Sequence, residues 1–309
     1  MVGFKNQDFE PLLKDVINDI FYVENTSNRG KIARIRQLSE IVVRKILNFS
    51  EEEFVTLGNK NIKDELNNLS NSDIFLKNAL QKININGNDG THTQRLGSFS
   101  EEDFEDVLSA YFKLLSYHFI MYFKKYRFGS NAKVMSSFSI LPPQLRFIVL
   151  NYLYTESSEE VYIIDKLSLA ILKTYGEKDA VKWVEEHKNS LSEISYMCED
   201  TIKNYIINVG TGETEKMIEY DPSVYEICIQ KIKEVNRQIN ENGKRYNTFE
   251  DAKSLYEEKG ILKGDSLEIA EFNSIMEFLY LGRVAEENKK NNNEYSSKYS
   301  TILFVSDSE

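Results

Sequence analysis

The fold class is decided by residues 98–126, which read SFSEEDFEDVLSAYFKLLSYHFIMYFKKY. Ser100 and Asp103 have the spacing of a capping box, and the acids around them suit the positive end of a helix dipole. The positions that follow are apolar on nearly every side, which is typical of a helix buried centrally in a bundle or between two subunits. We therefore predict a long helix ending near Tyr126, with His118 packed in a core or an interface.

The rest of the chain shows the same helical periodicity. Apolar residues recur every three or four positions in residues 8–24 and 31–47, and in several segments after residue 143. Residues 50–53 combine a cap with acids and are interpreted as a further helix start. The 309 residues include only 4 prolines and 14 glycines, and so few helix breakers favour long helices. The sequence therefore predicts an all-α protein.

Two helical domains are predicted. A double proline at residues 142–143 closes a break that begins at residue 127, and such a pair cannot continue a helix. We predict an N-terminal helical bundle over residues 1–130 and a second helical domain over residues 131–309. Within the second domain, residues 284–299 are rich in Asn, Lys and Ser and are predicted to be mobile.

The charge balance argues against non-specific nucleic-acid binding. The net charge is -11 and the pI is near 5.1, whereas contact with many phosphates requires a basic face. An acidic protein of this kind suits docking on a basic partner. The sequence starts without an apolar signal segment and contains no run of roughly 18 apolar residues. We therefore expect a cytoplasmic protein that does not enter a membrane.

No common catalytic or cofactor motif is present. The sequence lacks a nucleophile elbow, an HExxH pair, a Walker loop and a GxGxxG turn. Residues 210–216 resemble a phosphate loop but lack its spacing, so we predict a surface loop there. Cys198 and Cys228 lie far apart without a histidine pair, which predicts reduced, buried thiols rather than a zinc site. Neither a cofactor nor a metal is expected.

Polar and turn-forming residues are concentrated in residues 83–94, which read ININGNDGTHTQ. We predict a turn here between two apolar helices. His92 could act as a general acid or base, because imidazole titrates near neutrality, with Asn86, Asn88 or Asp89 orienting the ring. The alternative is a purely structural turn that ends a helix, with the function located in the second domain.

Arg36 and Glu40 stand four residues apart in the helix predicted for residues 31–47. This spacing places both side chains on one face, where they can pair. One interpretation is a solvated ion pair without a function. The other is a charged pair that lines the same groove as His92.

These residues together resemble the DUF4145 group of HEPN-like domains. The resemblance covers about residues 10–127 and rests on Arg36-x-x-x-Glu40, a later apolar helix, the segment from Gly87 to His92, and the helix start at residues 98–102. It implies an antiparallel helical bundle that often dimerises, with polar residues gathered at the dimer cleft. Many HEPN-like domains are metal-independent RNases of antiphage, restriction or toxin–antitoxin systems, and others only bind RNA or protein. The second domain resembles no family.

One position departs from the pattern of the active members. They carry an arginine a few residues before the histidine, which stabilises charge on the transferring phosphate while the histidine moves the proton. Asn84 stands at that position here, and an amide carries no charge. Either another cation replaces the arginine, Arg36 or Lys82, or the site is degenerate.

The leading hypothesis is a non-catalytic interaction protein of phage–bacterium conflict, either a defence component or a phage-encoded inhibitor of one. Its acidic body would bind a protein partner, such as a basic nucleic-acid-processing enzyme, and would form a homo-oligomer through the helix at residues 104–126. The candidate binding residues are Glu40, Asn84, Asn86, Asp89 and Arg95.

The alternative hypothesis is a metal-independent RNase that acts on cellular RNA. His92 would then be the acid or base, Arg36 or Lys82 the phosphate-binding cation, and Asn88 the residue that orients the ring. A cationic cleft around His92 would favour this RNase, whereas an acidic or neutral surface would favour the binding protein.

Overall fold

The computed structural model describes residues 3–92, 95–244, 246 and 248–285. Over these residues the chain forms 15 α-helices and no strand, apart from an isolated bridge between Ser195 and Ser223. The prediction of an all-α protein is confirmed. The segment predicted to be mobile, residues 284–299, lies outside the described residues beyond residue 285.

The helices are short to medium in length, and the longest is the one that was predicted to be buried. None of those described combines the length and apolar composition that crossing a bilayer requires. In chain order they are α1 (Asn6–Phe21), α2 (Asn28–Leu47), α3 (Lys60–Leu69), α4 (Ile74–Thr91), α5 (Glu101–Lys125), α6 (Ala132–Phe138), α7 (Pro143–Glu156), α8 (Val161–Tyr175), α9 (Glu177–Glu186), α10 (Lys188–Ser192), α11 (Glu199–Val209), α12 (Thr211–Tyr220), α13 (Val224–Asn242), α14 (Phe249–Lys259) and α15 (Leu267–Tyr280).

The chain divides into two compact units. Unit 1 comprises the described residues up to Tyr126, residues Ser136–Ile140 and the described chain from Thr248 onward, and unit 2 comprises the rest. The division after Tyr126 falls close to the boundary predicted near residue 130. It differs from the predicted division in two respects, because residues Ser136–Ile140 and the helices α14 and α15 belong to unit 1 and not to the second domain.

Helix α5 forms the centre of unit 1. Its capping box is present, with the Ser100 Oγ accepting from the Asp103 N–H at 3.1 Å and the Asp103 carboxylate accepting from the Ser100 N–H at 2.8 Å. Helices α2, α4 and α15 pack on α5 and bury most of its residues. Of the two predicted placements, central burial is therefore the observed one. The apolar surface that was predicted to form a subunit interface is covered by helices of the same chain.

His118 is packed in this core, as the sequence predicted. It is 6% exposed, and its ring meets the Phe278 ring edge-on at 5.6 Å. Burial, and secondly the charge of Lys45, lower the pKa of His118 to about 3. The imidazole is therefore neutral at physiological pH and contributes to packing rather than to proton transfer.

Helix α15 completes the core from the far end of the sequence. Phe272 is fully buried, with its ring centroid 6.2 Å from that of Phe119 and 5.2 Å from that of Tyr122 on α5. After α15, Gly282 turns the chain with φ +76° directly against the backbone of Leu13 and Lys14. The two ends of unit 1 are thus joined by close packing.

Unit 2 packs α7, α8, α9, α10 and α13 around a small apolar core. Within it, the buried Asp165 accepts a hydrogen bond from Lys231 Nζ at 2.6 Å, and the same ammonium donates to the Tyr196 hydroxyl. Cys228 is buried, which raises the pKa of its thiol to about 12, and Cys198 is partly buried. The prediction of a surface loop at residues 210–216 is wrong, because residues from Thr211 onward form α12.

Candidate functional site

The asparagine-rich stretch is helical and does not form the predicted turn. Helix α4 continues through residues 83–91 and ends with His92, whose backbone N–H donates to the Asn88 carbonyl at 2.8 Å. Two glycines and several asparagines normally disfavour a helix, by up to about 1 kcal/mol for each glycine relative to alanine. The local preference for a turn is overridden by packing against α2.

The two glycines of α4 allow this packing. A Cβ on Gly87 would lie 2.7 Å from the Cβ and Cδ of Arg36, and one on Gly90 would lie 3.3 Å from the Arg29 carbonyl oxygen. Ile83, one turn earlier on the same face, is fully buried. Because only glycine lacks the clashing atom, α2 and α4 approach closely at this end of the bundle.

Arg36 joins α2 to α4 through a hydrogen bond between its guanidinium and the Asn88 side-chain oxygen. Its other donors reach Glu40 at 3.5 Å and the Thr56 hydroxyl at 3.4 Å. Glu40 in turn accepts from the Leu57 N–H at 3.3 Å. The Arg36 side chain is only 13% exposed, so the pair is part of the packed interior and is not a solvated ion pair.

Arg29 is a residue that the sequence did not single out. It precedes the helix predicted for residues 31–47 but lies in the first turn of α2. Its guanidinium donates to the carbonyl oxygens of Asp89 at 2.8 Å, Arg95 at 2.5 Å and Gly97 at 2.9 Å. The end of α4 and the segment that follows are therefore fixed to α2. No local sequence signal marks this role, because all three acceptors are backbone atoms far along the chain.

His92 is exposed at the end of α4, and its side chain makes no hydrogen bond or ion pair with the described residues. Of the residues predicted to orient it, Asn88 is held by Arg36, and the Asn86 amide donates to the Lys82 carbonyl at 3.0 Å. The Asp89 backbone binds Arg29. The structure therefore brings Arg36, Glu40 and Asn88 into one network, but does not join the imidazole to it.

The remaining predicted cations are also paired. Lys82 Nζ lies 2.5 Å from the carboxylate of Asp106 on α5. Arg95 contacts Asp103 at 2.8 Å and lies over the Phe99 ring at 3.9 Å. Each of the three predicted cations, Arg36, Lys82 and Arg95, therefore already faces a carboxylate, which partly neutralises its charge.

Asn84 stands one helical turn before Asn88 on α4. It lines a cavity of about 420 Å³ between α3 and α4, and its side-chain oxygen is buried without a hydrogen-bond partner among the described residues. An unpaired buried acceptor costs about 1–3 kcal/mol. Asn84, which stands where the active members carry their arginine, thus faces this cavity.

The arrangement around His92 offers an imidazole without a hydrogen-bonded orienting group among the described residues. The three predicted cations face carboxylates, and Arg29 donates to backbone carbonyl oxygens. Stabilising the charge of a phosphoryl transition state requires donors that are preorganised and unoccupied. In the described part of the chain, no group of three His, Cys, Asp or Glu side chains is placed to hold a metal ion.

The chain was also compared with known proteins. No protein-family model matches it, and no curated protein or solved structure matches it significantly. The resemblance to HEPN-like domains consequently stays a prediction that rests on the residues from Arg36 to Glu102 quoted above.

Proposed function

We propose that this protein acts by binding a protein partner and performs no catalysis at His92. The observation that carries the proposal is the occupation of the nearby cations: Arg36, Lys82 and Arg95 are each paired with a carboxylate. The setting of phage–bacterium conflict, as a defence component or an inhibitor of one, is part of the proposal and comes from the resemblance alone.

An acidic surface beside His92 supports a basic partner. Glu101, Glu102 and Glu105 are exposed on the first turns of α5, and none of them forms an ion pair with a described residue. This end of α5 lies next to the end of α4, because Asn28 donates to Glu101 at 3.2 Å while the adjacent Arg29 holds α4. A surface of this sign repels phosphate and attracts a basic protein, such as a nucleic-acid-processing enzyme.

Self-association, which the resemblance also implies, would need a surface other than α5. The apolar residues of that helix are already buried within unit 1.

The first test is incubation of the purified protein with total bacterial RNA in EDTA, beside the His92→Ala variant. We expect no cleavage by either protein, because the three predicted cations are each engaged by a carboxylate and are not free to stabilise a pentacoordinate phosphorane. Gel electrophoresis of the RNA provides the measurement. Cleavage by the wild type alone would overturn the proposal and establish the RNase alternative, with Arg36 or Lys82 released from its present partner to bind phosphate.

The second test concerns the acidic surface itself. The triple variant Glu101→Gln, Glu102→Gln and Glu105→Gln should lose most of its ability to capture the partner from infected cells, because long-range attraction guides such association. Quantitative mass spectrometry of the captured proteins provides the measurement. The matched control neutralises the exposed acids Glu213, Glu215 and Glu219 of α12, which changes the net charge equally. Equal capture by both triple variants would contradict a role of this surface.

A further inference from the structure

The cavity between α3 and α4 is separate from the surface around His92. It measures about 420 Å³, which is within the range of pockets that hold small molecules. The lining combines leucines and isoleucines with polar side chains. The lining residues are Leu57, Ile62, Lys63, Leu66, Asn67, Ser70, Asp73, Leu76, Lys77, Leu80, Gln81, Asn84 and Ile85.

The lining of this cavity includes one hydrogen-bond acceptor without a partner, the side-chain oxygen of Asn84. The Asn84 side-chain oxygen is buried, and no described residue donates to it. Buried polar atoms in folded proteins are nearly always paired, so this oxygen accepts from a molecule that occupies the cavity, which is either a water or a ligand that displaces it. A ligand in this position carries a hydrogen-bond donor, an O–H or an N–H group, on an otherwise apolar body.

The edge of the cavity carries positive charge that is not neutralised. Lys63 and Lys77 are exposed, and neither forms an ion pair with a described residue. The one carboxylate of the lining, Asp73, accepts from the Phe75 N–H at 2.9 Å and from the Tyr117 hydroxyl at 3.2 Å, so it caps α4. The two lysines therefore favour an anionic group at the opening.

The spacing along α4 sets the length of the ligand. Lys77 precedes Asn84 by seven residues, which corresponds to about 10 Å along a helix axis. A molecule that reaches both must carry its anionic group and its donor at opposite ends of an extended apolar segment. The leucines and isoleucines between them would cover that segment.

We propose that this cavity binds a small amphipathic carboxylate with a hydrogen-bond donor at the far end of its apolar chain. The carboxylate pairs with Lys63 and Lys77, the chain lies on the leucines and isoleucines of the lining, and the donor satisfies Asn84. This inference uses none of the residues around His92 and does not depend on the proposed function.

The test is calorimetric titration of the full chain with three probes of equal chain length. ω-Hydroxydecanoate carries both groups, decanoate lacks the hydroxyl, and decanediol lacks the carboxylate. We expect ω-hydroxydecanoate to bind about tenfold more tightly than either of the others, since one hydrogen bond or ion pair is lost in each case. Equal binding of the three probes, or no binding of ω-hydroxydecanoate, would overturn the proposal.

Two variants assign the effect to the proposed contacts. Asn84→Leu should bind ω-hydroxydecanoate and decanoate equally, while the double variant Lys63→Gln and Lys77→Gln should bind ω-hydroxydecanoate and decanediol equally. The matched control, Lys60→Gln with Lys178→Gln, removes the same charge from exposed positions outside the cavity and should bind like the wild type. If the control loses as much affinity as the Lys63→Gln and Lys77→Gln variant, the carboxylate is attracted by net charge alone. The proposed carboxylate-binding site would then be wrong.

Discussion

Replacement of Phe272 by alanine is expected to lower the free energy of unfolding of unit 1 by about 3–5 kcal/mol. The Phe272 ring is fully buried against Phe119 and Tyr122 of α5. Its loss removes the transfer free energy of the ring and leaves a cavity between two helices that cannot collapse without repacking. Hydrogen exchange of the α5 amides, followed by mass spectrometry, measures the effect within unit 1.

The control for this experiment lies on the same helix. Leu267 is 66% exposed, so Leu267→Ala should change the free energy of unfolding by less than about 0.5 kcal/mol. The only tryptophan, Trp183, lies in unit 2, and its fluorescence reports on that unit separately. A loss below about 1 kcal/mol for Phe272→Ala would show that α15 does not complete the core of unit 1.

The second large effect is expected at Gly282, where alanine should cost about 2–5 kcal/mol. One contribution is conformational, because φ is +76° and residues with a Cβ disfavour that region by about 1–2 kcal/mol. The other is steric, because the new Cβ would lie 2.7 Å from the Lys14 nitrogen and 2.8 Å from the Leu13 carbonyl carbon. These are backbone atoms of α1, so the contact cannot be relieved by rotating a side chain.

Gly243, which lies in unit 2, provides a comparison for backbone strain without the steric contact. Its φ is +75° and its ψ is 174°, and a Cβ there would meet no atom within 4 Å. Gly243→Ala should therefore show only the conformational cost of about 1–3 kcal/mol for a side chain in a region that is nearly restricted to glycine. Urea denaturation followed by circular dichroism compares the two variants. Equal losses would mean that the approach of Gly282 to α1 is looser than the structure describes.

The sequence was most informative where a local signal and burial agree. The capping box of Ser100 and Asp103 and the apolar run after it predicted α5 correctly, because the cap is formed by neighbouring residues and burial follows from the apolar surface. The same reasoning placed His118 inside the protein. The all-α class follows from the sum of many such helices.

Local signals failed where distant residues compete with them. Ser50 and the acids after it predicted a helix, but that segment is irregular, and Arg44 instead holds the carbonyl oxygens of Ser50 at 2.8 Å and Glu53 at 2.6 Å. The turn predicted around Gly87 is a helix, because the absent Cβ lets α4 pack on α2. In both cases the deciding contact comes from another helix.

The candidate site was only partly predictable. The spacing of Arg36 and Glu40 predicted their pairing, since four residues make one helical turn. The position of Arg29 beneath the end of α4 and the cavity around Asn84 were not predictable, because both depend on how separate helices meet. The packing of α15 on α5 in unit 1 was likewise not predictable, because it joins segments that are far apart in the sequence.

Because α15 belongs to unit 1, the core of this unit cannot be completed when α5 is first synthesised. During translation, α5 emerges long before α15, with about 150 residues synthesised between Tyr126 and Tyr280. At typical elongation rates this interval lasts roughly 8–30 s. Throughout it, the surface of Phe119 and Tyr122 that Phe272 later covers is open to other nascent chains and to chaperones. Unit 1 thus completes its native core only after the described part of unit 2 has been synthesised.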